Sequence, residues 1–191
     1  MENKIIRKII HVLTGITIIL LLSFEILNTR YLFFILLLSI FLSILSIKIK
    51  IPIIHKLVLR CKKDREMPPG RGFLFFILGS LLALKLFTKD IAFASIAILT
   101  FADPCSHFLG SLLGRFKIIR NGKNIEGTIF GVLIGTLAAL FFVSFPEAFL
   151  ACSIAMFAEY LEFRIANNTI DDNLVVPLIA GTTIYLLRLI I

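Results

Sequence analysis

The sequence predicts an all-α protein, a polytopic transmembrane helical bundle of about seven spans with a broken fourth helix, in a single domain over residues 1–191. Three observations predict this fold. Hydrophobic residues make up 59% of the chain, more than a soluble domain of this size can hide from water. Apolar runs of about membrane-spanning length recur along the sequence. The segments between these runs carry most of the basic residues and account for the net charge of +8.

The predicted spans follow the apolar runs in order. The first resembles a signal peptide, but no small-residue cleavage site follows it, and Glu25 to Arg30 leads directly into the next run. The fifth is rich in Gly and Ala, which favours close helix packing, and Pro177 and Gly181 bend the seventh. The predicted spans are residues 9–24, 31–47, 73–87, 91–113, 127–145, 147–164 and 174–190.

The fourth span contains a polar interruption, Asp103-Pro104. Asp can cap the free N–H groups of a helix start, and Pro is tolerated at the first helical position. The pair therefore predicts a helix that breaks and restarts at Pro104. At about 100° per residue, Asp103, His107, Gly110 and Gly114 share one helix face. This polar, small-residue face leads from a carboxylate to the basic loop that follows.

The positions of the basic residues predict the orientation. With the N-terminus inside, all 20 basic residues except Arg30, Lys85, Lys89 and Arg188 fall in cytoplasmic segments, as the positive-inside rule requires. The C-terminus then lies outside, and the polar motifs converge on the cytoplasmic face of a cell membrane or internal membrane. Topology and anionic lipid explain the basic excess, so it does not indicate a nucleic-acid partner.

The loop after the fourth span predicts a phosphate and metal site. Arg115, Lys117 and Lys123 follow the helix that carries Asp103, and Glu126 opens the next span. A carboxylate is costly inside a bilayer and marks a functional site by default. In the structural alternative, the glycines serve close helix packing and Asp103 is only a cap. That alternative does not explain the cations and the acid at the end of the same helix.

A second polar cluster lies near the C-terminus. Glu159 and Glu162 are three residues apart and share a helix face, and Asp171, Asp172 and Asn173 precede the last span. Magnesium is commonly held by one or two carboxylates together with the phosphates of a substrate, so the cluster predicts magnesium ligands. Capping of the last helix is the alternative, and it suffices for Asp172 or Asn173 alone.

His11 lies near the start of the first span and has two interpretations of equal weight. In the first it is a packed, hydrogen-bonded histidine. In the second it acts with Arg7 and Lys8 to hold phosphate.

Short motifs in a fixed order along the chain carry a family resemblance. They are Arg7-Lys8-x-x-His11-x-x-x-Gly15, Gly70-x-Gly72, Asp103-Pro104, Gly110-x-x-x-Gly114-Arg115, Lys123-Asn-Ile-Glu126-Gly127, Glu159 and Asp171-Asp172-Asn173-Leu174-x-Val176-Pro177. Together they resemble the CTP-dependent polyprenol kinase family, which includes dolichol, phytol and farnesol kinases. The most specific part is the Asp…Gly…Lys-x-x-Glu-Gly block followed by Asp-Asp-Asn. Asn124 departs from the pattern, because Thr or Ser is usual there.

Two other functions remain as alternatives. Phosphatidate cytidylyltransferases share a similar Asp, Gly-x-x-x-Gly and Lys-x-x-Glu-Gly block and also bind CTP with a divalent metal, and they make a CDP-activated lipid from a phospholipid acid. Their C-terminal signature of Lys-Arg, Lys-Asp, His-Gly-Gly and Asp-Arg is absent from this chain. A small membrane transporter is less favoured. Broken helices and intramembrane carboxylates occur in transporters too, but here the carboxylates cluster at one face.

The resemblance implies an enzyme that transfers the terminal phosphoryl group of CTP to the hydroxyl of an isoprenoid alcohol of the dolichol, phytol, farnesol or geranylgeraniol type, with Mg²⁺ as cofactor. Its partners would be CTP, the alcohol and the lipid bilayer, and a homo-oligomer is not indicated. The candidate catalytic residues are Asp103, Glu126, Glu159 and Asp171. The candidate metal ligands are Asp103, Glu126, Asp171 and Asp172. The candidate nucleotide-binding residues are Arg7, His11, Gly110, Gly114, Arg115, Lys117, Lys123 and Gly127.

Overall fold

The computed structural model describes residues 2–48, 70–113, 124–161, 164–165 and 168–190. Within these ranges the chain forms seven helices and one short antiparallel strand pair, and the predicted all-α bundle is confirmed. The helices are α1 (Glu2–Ser23), α2 (Thr29–Lys48), α3 (Arg71–Leu86), α4 (Lys89–Leu113), α5 (Ile125–Ala139), α6 (Phe145–Leu161) and α7 (Asp172–Ile190). The strands β1 (Arg164–Ile165) and β2 (Asn168–Thr169) lie between α6 and α7.

Helix α4 is the centre of the bundle. It packs against α1, α3, α5, α6 and α7, and every residue from 91 to 100 is buried. A helix that is apolar on all sides is expected to be surrounded by other elements. Small side chains at Ala92, Ala94 and Ala97 let these neighbours approach closely. The position of α4 makes it the element that brings the other helices to a common site.

The outer surface of the bundle is apolar. Phe34 and Phe141 are 64% and 86% exposed, and many other large apolar side chains are exposed with them. Among the described helices, three are long and apolar enough to cross a membrane, namely Ile5–Ser23, Lys89–Leu112 and Asp172–Ile190, and Thr29–Leu45 and Ile125–Ala139 are shorter apolar helices. These features identify a membrane protein. Seven crossings and a cytoplasmic N-terminus stay predictions.

The predicted break in the fourth helix is wrong. Helix α4 runs without interruption from Lys89 to Leu113 and contains Pro104 in its interior. Proline removes one backbone N–H from the helix ladder, and neighbouring helices and hydroxyl side chains make such a loss tolerable in membrane helices. Asp103 is therefore an interior residue of a continuous helix and not the cap of a new one.

Helices α4 and α5 meet along a stripe of glycines spaced four residues apart, Gly127, Gly131 and Gly135. A Cβ atom added at Gly131 would lie 2.9 Å from the Ala102 carbonyl oxygen and from Ser106 Cβ. Atoms this close cannot be accommodated without movement of one backbone. The stripe confirms the predicted close packing of the fifth span, and it places the start of α5 beside the last turns of α4.

Charged residues gather at the two ends of the bundle. At one end, the Arg188 guanidinium at the close of α7 lies 2.5 Å from Asp90 of α4 and 2.5 Å from Glu147 of α6, and Lys89 contacts Glu25 at 3.1 Å. At the opposite end lie the start of α1, the second half of α4, the end of α6 and the start of α7. The second end contains the described parts of the predicted motifs, as the sequence analysis expected.

We expect Gly131→Ala to destabilise the protein by about 1–3 kcal/mol, because the added methyl group overpacks the α4–α5 interface. The measurement is the thermal unfolding midpoint in detergent. Gly72→Ala is the matched control, since within the described residues the nearest atom to a Cβ there is Asn173 Nδ2 at 3.6 Å. Alanine at that helical position should be neutral or stabilising by about 0.5–1 kcal/mol. Equal effects of the two changes would show that the glycine stripe does not set the packing.

Candidate functional site

The site is built on an ion pair between α1 and α4. Lys8 Nζ lies 2.7 Å from Asp103 Oδ2, and their side chains are 20% and 6% exposed. The residues are far apart in sequence, and the packing of α1 against α4 brings them together. A short contact between opposite charges offsets part of the cost of burying each of them. Asp103 thus faces the protein interior, and it does not cap a helix.

His107 connects this pair to α6. It follows Asp103 by one helical turn, and its Nε2 lies 3.4 Å from Asp103 Oδ1. The same nitrogen lies 3.9 Å from Glu159 Oε1. Glu159 is only 2% exposed, whereas His107 is 42% exposed. In the described residues, the ligand atoms of Asp103, His107 and Glu159 all lie within 4.8 Å of one another. The structure therefore brings together two of the predicted catalytic carboxylates around a histidine.

His11 lies against α3 and α4. Its Nε2 is 3.1 Å from the Leu99 carbonyl oxygen, and its ring makes an edge contact with Phe76 at 4.7 Å between centroids. These are the contacts of the packed, hydrogen-bonded histidine. Arg7 is partly buried on the same helix. A role of either residue in holding phosphate stays a prediction.

Asp171 has the contacts of a helix cap. Its Oδ1 accepts hydrogen bonds from the Asn173 backbone N–H at 3.1 Å and from Asn173 Nδ2 at 2.8 Å, at the start of α7. Asn173 Nδ2 also donates to the Gly72 carbonyl at 3.1 Å, and Arg71 Nε lies 3.9 Å from Asp171 Oδ2. Asp172 is the first residue of α7. These contacts join the Gly70-x-Gly72 motif to the Asp-Asp-Asn motif.

Glu126 lies in the first turn of α5. Its neighbour Gly127 packs against Gly110 of α4, where an added Cβ would lie 2.8 Å from Gly110 Cα. Asn124 donates from Nδ2 to the Gly110 carbonyl. The residue that departs from the family pattern therefore links the N-terminus of α5 to α4. The predicted glycines Gly110 and Gly127 form a backbone contact at the edge of the site.

Several predicted residues lie outside the described ranges. Gly114, Arg115, Lys117, Lys123 and Glu162 belong to this group, and their roles stay predictions. Of the four predicted metal ligands, only Asp103 belongs to the described three-residue group with His107 and Glu159.

Lys8 entered the sequence analysis only beside His11 in the phosphate interpretation, and His107 only as a residue on the face of Asp103; neither was among the candidate catalytic, metal or nucleotide-binding residues. The sequence carried a signal for both, since Lys8 stands in the Arg7-Lys8-x-x-His11 motif and His107 shares the face of Asp103. The signal was incomplete, because a charged contact between α1 and α4 depends on how the helices pack.

Comparison with known proteins identifies a relative across nearly the whole chain. The uncharacterized protein MJ1137 of Methanocaldococcus jannaschii is 30% identical over 186 residues, which cover 94% of this chain and 91% of that protein. The chain belongs to the same family as MJ1137. No protein-family model matches the sequence. No solved structure matches it either.

Two further relatives have named activities. A Schizosaccharomyces pombe protein is 26% identical over 144 residues, covering 65% of this chain and 64% of that protein. An Eremothecium gossypii protein is 29% identical over 90 residues, covering 46% of this chain and 28% of that protein. Both are named CTP-dependent diacylglycerol kinase 1, and the aligned region spans less than two thirds of each. The chain is thus related to CTP-dependent lipid kinases, and neither relative is named a polyprenol kinase.

We expect a double-mutant cycle of Lys8→Met and Asp103→Asn to give a coupling energy of about 1–3 kcal/mol, because each single change leaves a partly buried charge without its partner. The measurement is unfolding of the four proteins in detergent. The exposed Glu25–Lys89 pair provides the control, and the cycle of Glu25→Gln and Lys89→Met should give less than about 1 kcal/mol. A coupling no larger than that of the control pair would contradict the structural role of the Lys8–Asp103 contact.

Proposed function

We propose that the protein is a CTP-dependent lipid kinase, which transfers the terminal phosphoryl group of CTP to the hydroxyl of a membrane lipid. The observation that carries this proposal is the cluster of Lys8, Asp103, His107 and Glu159 at one end of an apolar bundle, in which both carboxylates are buried. Charged groups are expensive in a membrane protein and are kept where they do chemistry. The names of the two yeast and fungal relatives support the choice of donor and reaction.

Phosphoryl transfer needs mainly positioning and neutralisation of charge. The lipid hydroxyl oxygen attacks the terminal phosphorus of CTP, a new O–P bond forms, the bond to the β-phosphate oxygen breaks, and CDP leaves. The proton of the hydroxyl passes to a carboxylate, for which Glu159 and Asp171 are the candidates. Lys8, which Asp103 holds at the site end of α1, contacts the phosphates. We assign the same task to the cations Arg7, Arg115, Lys117 and Lys123.

We further propose that a divalent cation takes part. A cation bound beside the phosphates of CTP would neutralise charge on their oxygens during transfer. The sequence motifs predict Asp103, Glu126, Asp171 and Asp172 as the ligands of Mg²⁺. The donor chemistry fits a cation at Asp103, whose buried carboxylate lies beside a second buried carboxylate, Glu159. Asp171 fits less well, since one of its oxygens already accepts two hydrogen bonds from Asn173.

An apolar groove supports a lipid acceptor. It has a volume of about 400 Å³ and lies between α1, α4 and α5, and Phe101 of α4 is part of its wall. The groove can hold an aliphatic chain in the apolar part of the bundle. We propose an isoprenoid alcohol as the acceptor on the strength of the sequence motifs, and diacylglycerol is the second candidate because the relatives are named for it. The groove is lined by Ile16, Ile19, Leu20, Ala97, Phe101, Ile134, Leu137, Ala138, Phe141 and Phe142.

The test of the proposed reaction uses purified protein in detergent with CTP labelled at the γ or the α phosphate. Isoprenoid alcohols, diacylglycerol and phosphatidic acid are offered separately. We expect label to enter the lipid from the γ position only and to require an acceptor with a free hydroxyl. Transfer from the α position would identify a cytidylyltransferase. Absence of transfer from both positions would contradict both enzyme functions and favour the transporter.

We expect Ala138→Phe to raise the KM for the lipid acceptor about tenfold and to leave the KM for CTP unchanged. The new ring would fill the groove, and a tenfold change corresponds to about 1.4 kcal/mol of binding. Leu133→Phe is the control, because Leu133 is exposed on the same helix and is not part of the groove wall. Equal KM values for both variants would show that the acceptor chain lies elsewhere.

A further inference from the structure

We propose that Asp103, His107 and Glu159 form a binding site for a divalent transition-metal ion of the Mn²⁺ type. The proposal rests on the lipid kinase function for its catalytic meaning and deepens it by naming the ligands and the class of ion. It departs from the all-oxygen magnesium site of the sequence analysis in one respect, because one of the ligands is an imidazole.

The spacing of the three ligand atoms suits a metal ion. Asp103 and His107 lie four residues apart on one face of α4, the spacing at which two helical side chains can chelate one ion. Glu159 approaches from α6. An ion held about 2.0–2.2 Å from each ligand atom spans at most about 4.4 Å between two ligands, and the three ligand atoms lie within 4.8 Å of one another, so small rotations of the side chains would complete the site. His107 Nε2 lies 3.4 Å from Asp103 Oδ1 and 3.9 Å from Glu159 Oε1.

The two oxygens of Asp103 have different neighbours. Oδ2 is the oxygen that lies 2.7 Å from Lys8 Nζ, and Oδ1 is the one that faces His107. The ion pair with Lys8 therefore does not use the oxygen that would coordinate the ion. Lys8 still places a positive charge near the site and reduces its affinity for a cation.

The exposure of the three side chains indicates the side from which an ion would enter the site. The carboxylates of Asp103 and Glu159 are 6% and 2% exposed, whereas His107 is 42% exposed. An ion would enter from the side of His107 and meet the carboxylates behind it. Three protein ligands leave coordination positions open, as in catalytic metal sites, and phosphate oxygens of a nucleotide can occupy them.

The chemical nature of the three ligands, two carboxylates and one imidazole, favours one class of metal ion over another. Magnesium prefers oxygen ligands in octahedral geometry. Imidazole suits transition metals, and carboxylates suit hard ions such as Mn²⁺. Two carboxylates with one imidazole therefore favour Mn²⁺ and its neighbours in the series over Mg²⁺.

The test is a titration of the full-length protein in detergent with Mn²⁺, in the absence of nucleotide, followed by the EPR signal of the free ion. We expect saturable binding that excess Mg²⁺ displaces poorly. His107→Gln and Glu159→Gln should each weaken binding by about 100-fold or more, since loss of even an outer partner of a ligand costs about 10–100-fold in metal affinity. Glu147→Gln, at the opposite end of the bundle, is the control and should bind as the unchanged protein does.

Two variants separate loss of a ligand from damage to the fold. Lys8→Met should bind Mn²⁺ more tightly, because it removes a nearby positive charge, whereas general damage would weaken binding. His107→Asp should keep a site but lower its preference for Mn²⁺ over Mg²⁺, since all ligands are then oxygens. Unchanged affinity in His107→Gln would overturn the proposal. So would a loss in Asp171→Asn as large as that in Glu159→Gln, because the ion would then lie at the start of α7.

The metal site and the lipid kinase function can fail separately. Transfer of γ-label from CTP in Mg²⁺, together with no detectable Mn²⁺ binding by the free protein, would overturn the metal site and leave the kinase. Mn²⁺ binding that depends on His107, together with no transfer of label, would uphold the metal site and contradict the kinase.

Discussion

The contact between Lys8 and Asp103 is the constraint on which the site depends. A carboxylate in the interior of a membrane protein must be matched by a positive charge or by hydrogen bonds, and Lys8 supplies the charge from another helix at 2.7 Å. The pair links the start of α1 to the second half of α4. The other carboxylate oxygen of Asp103, Oδ1, faces His107. One ion pair thus joins two helices at the site and leaves the second oxygen of Asp103 directed at the histidine.

The apolar pattern of the chain was sufficient to predict the bundle. Each predicted span overlaps one described helix, with ends that differ by no more than seven residues, because burial of long apolar runs leaves few arrangements other than packed helices. Asp103-Pro104 was the exception. The pair carries a local signal for a helix start, but the surrounding helices bury α4 so completely that the helix continues through the proline. Tertiary packing there outweighs local preference.

The site was less predictable than the fold. Asp103 and Glu159 could be selected because buried acids are rare, and the structure places them around the same histidine. Lys8 and His107 could not be ranked, because their importance comes from contacts between helices that are remote in sequence. Asp171 shows the opposite case. Its motif suggested a metal ligand, and its hydrogen bonds to Asn173 are those of a helix cap. Sequence spacing does not distinguish these two uses of an aspartate.

The glycine stripe between α4 and α5 has a mechanical consequence. Two backbones in direct contact have no side-chain rotamers with which to adjust their separation, so Asp103 and the start of α5 belong to one rigid body. Lys8 and Glu159 reach the site from α1 and α6 on longer side chains with several rotatable bonds. A bound molecule can therefore be accommodated by rotation of these two side chains, while the separation of α4 and α5 at Asp103 stays constant.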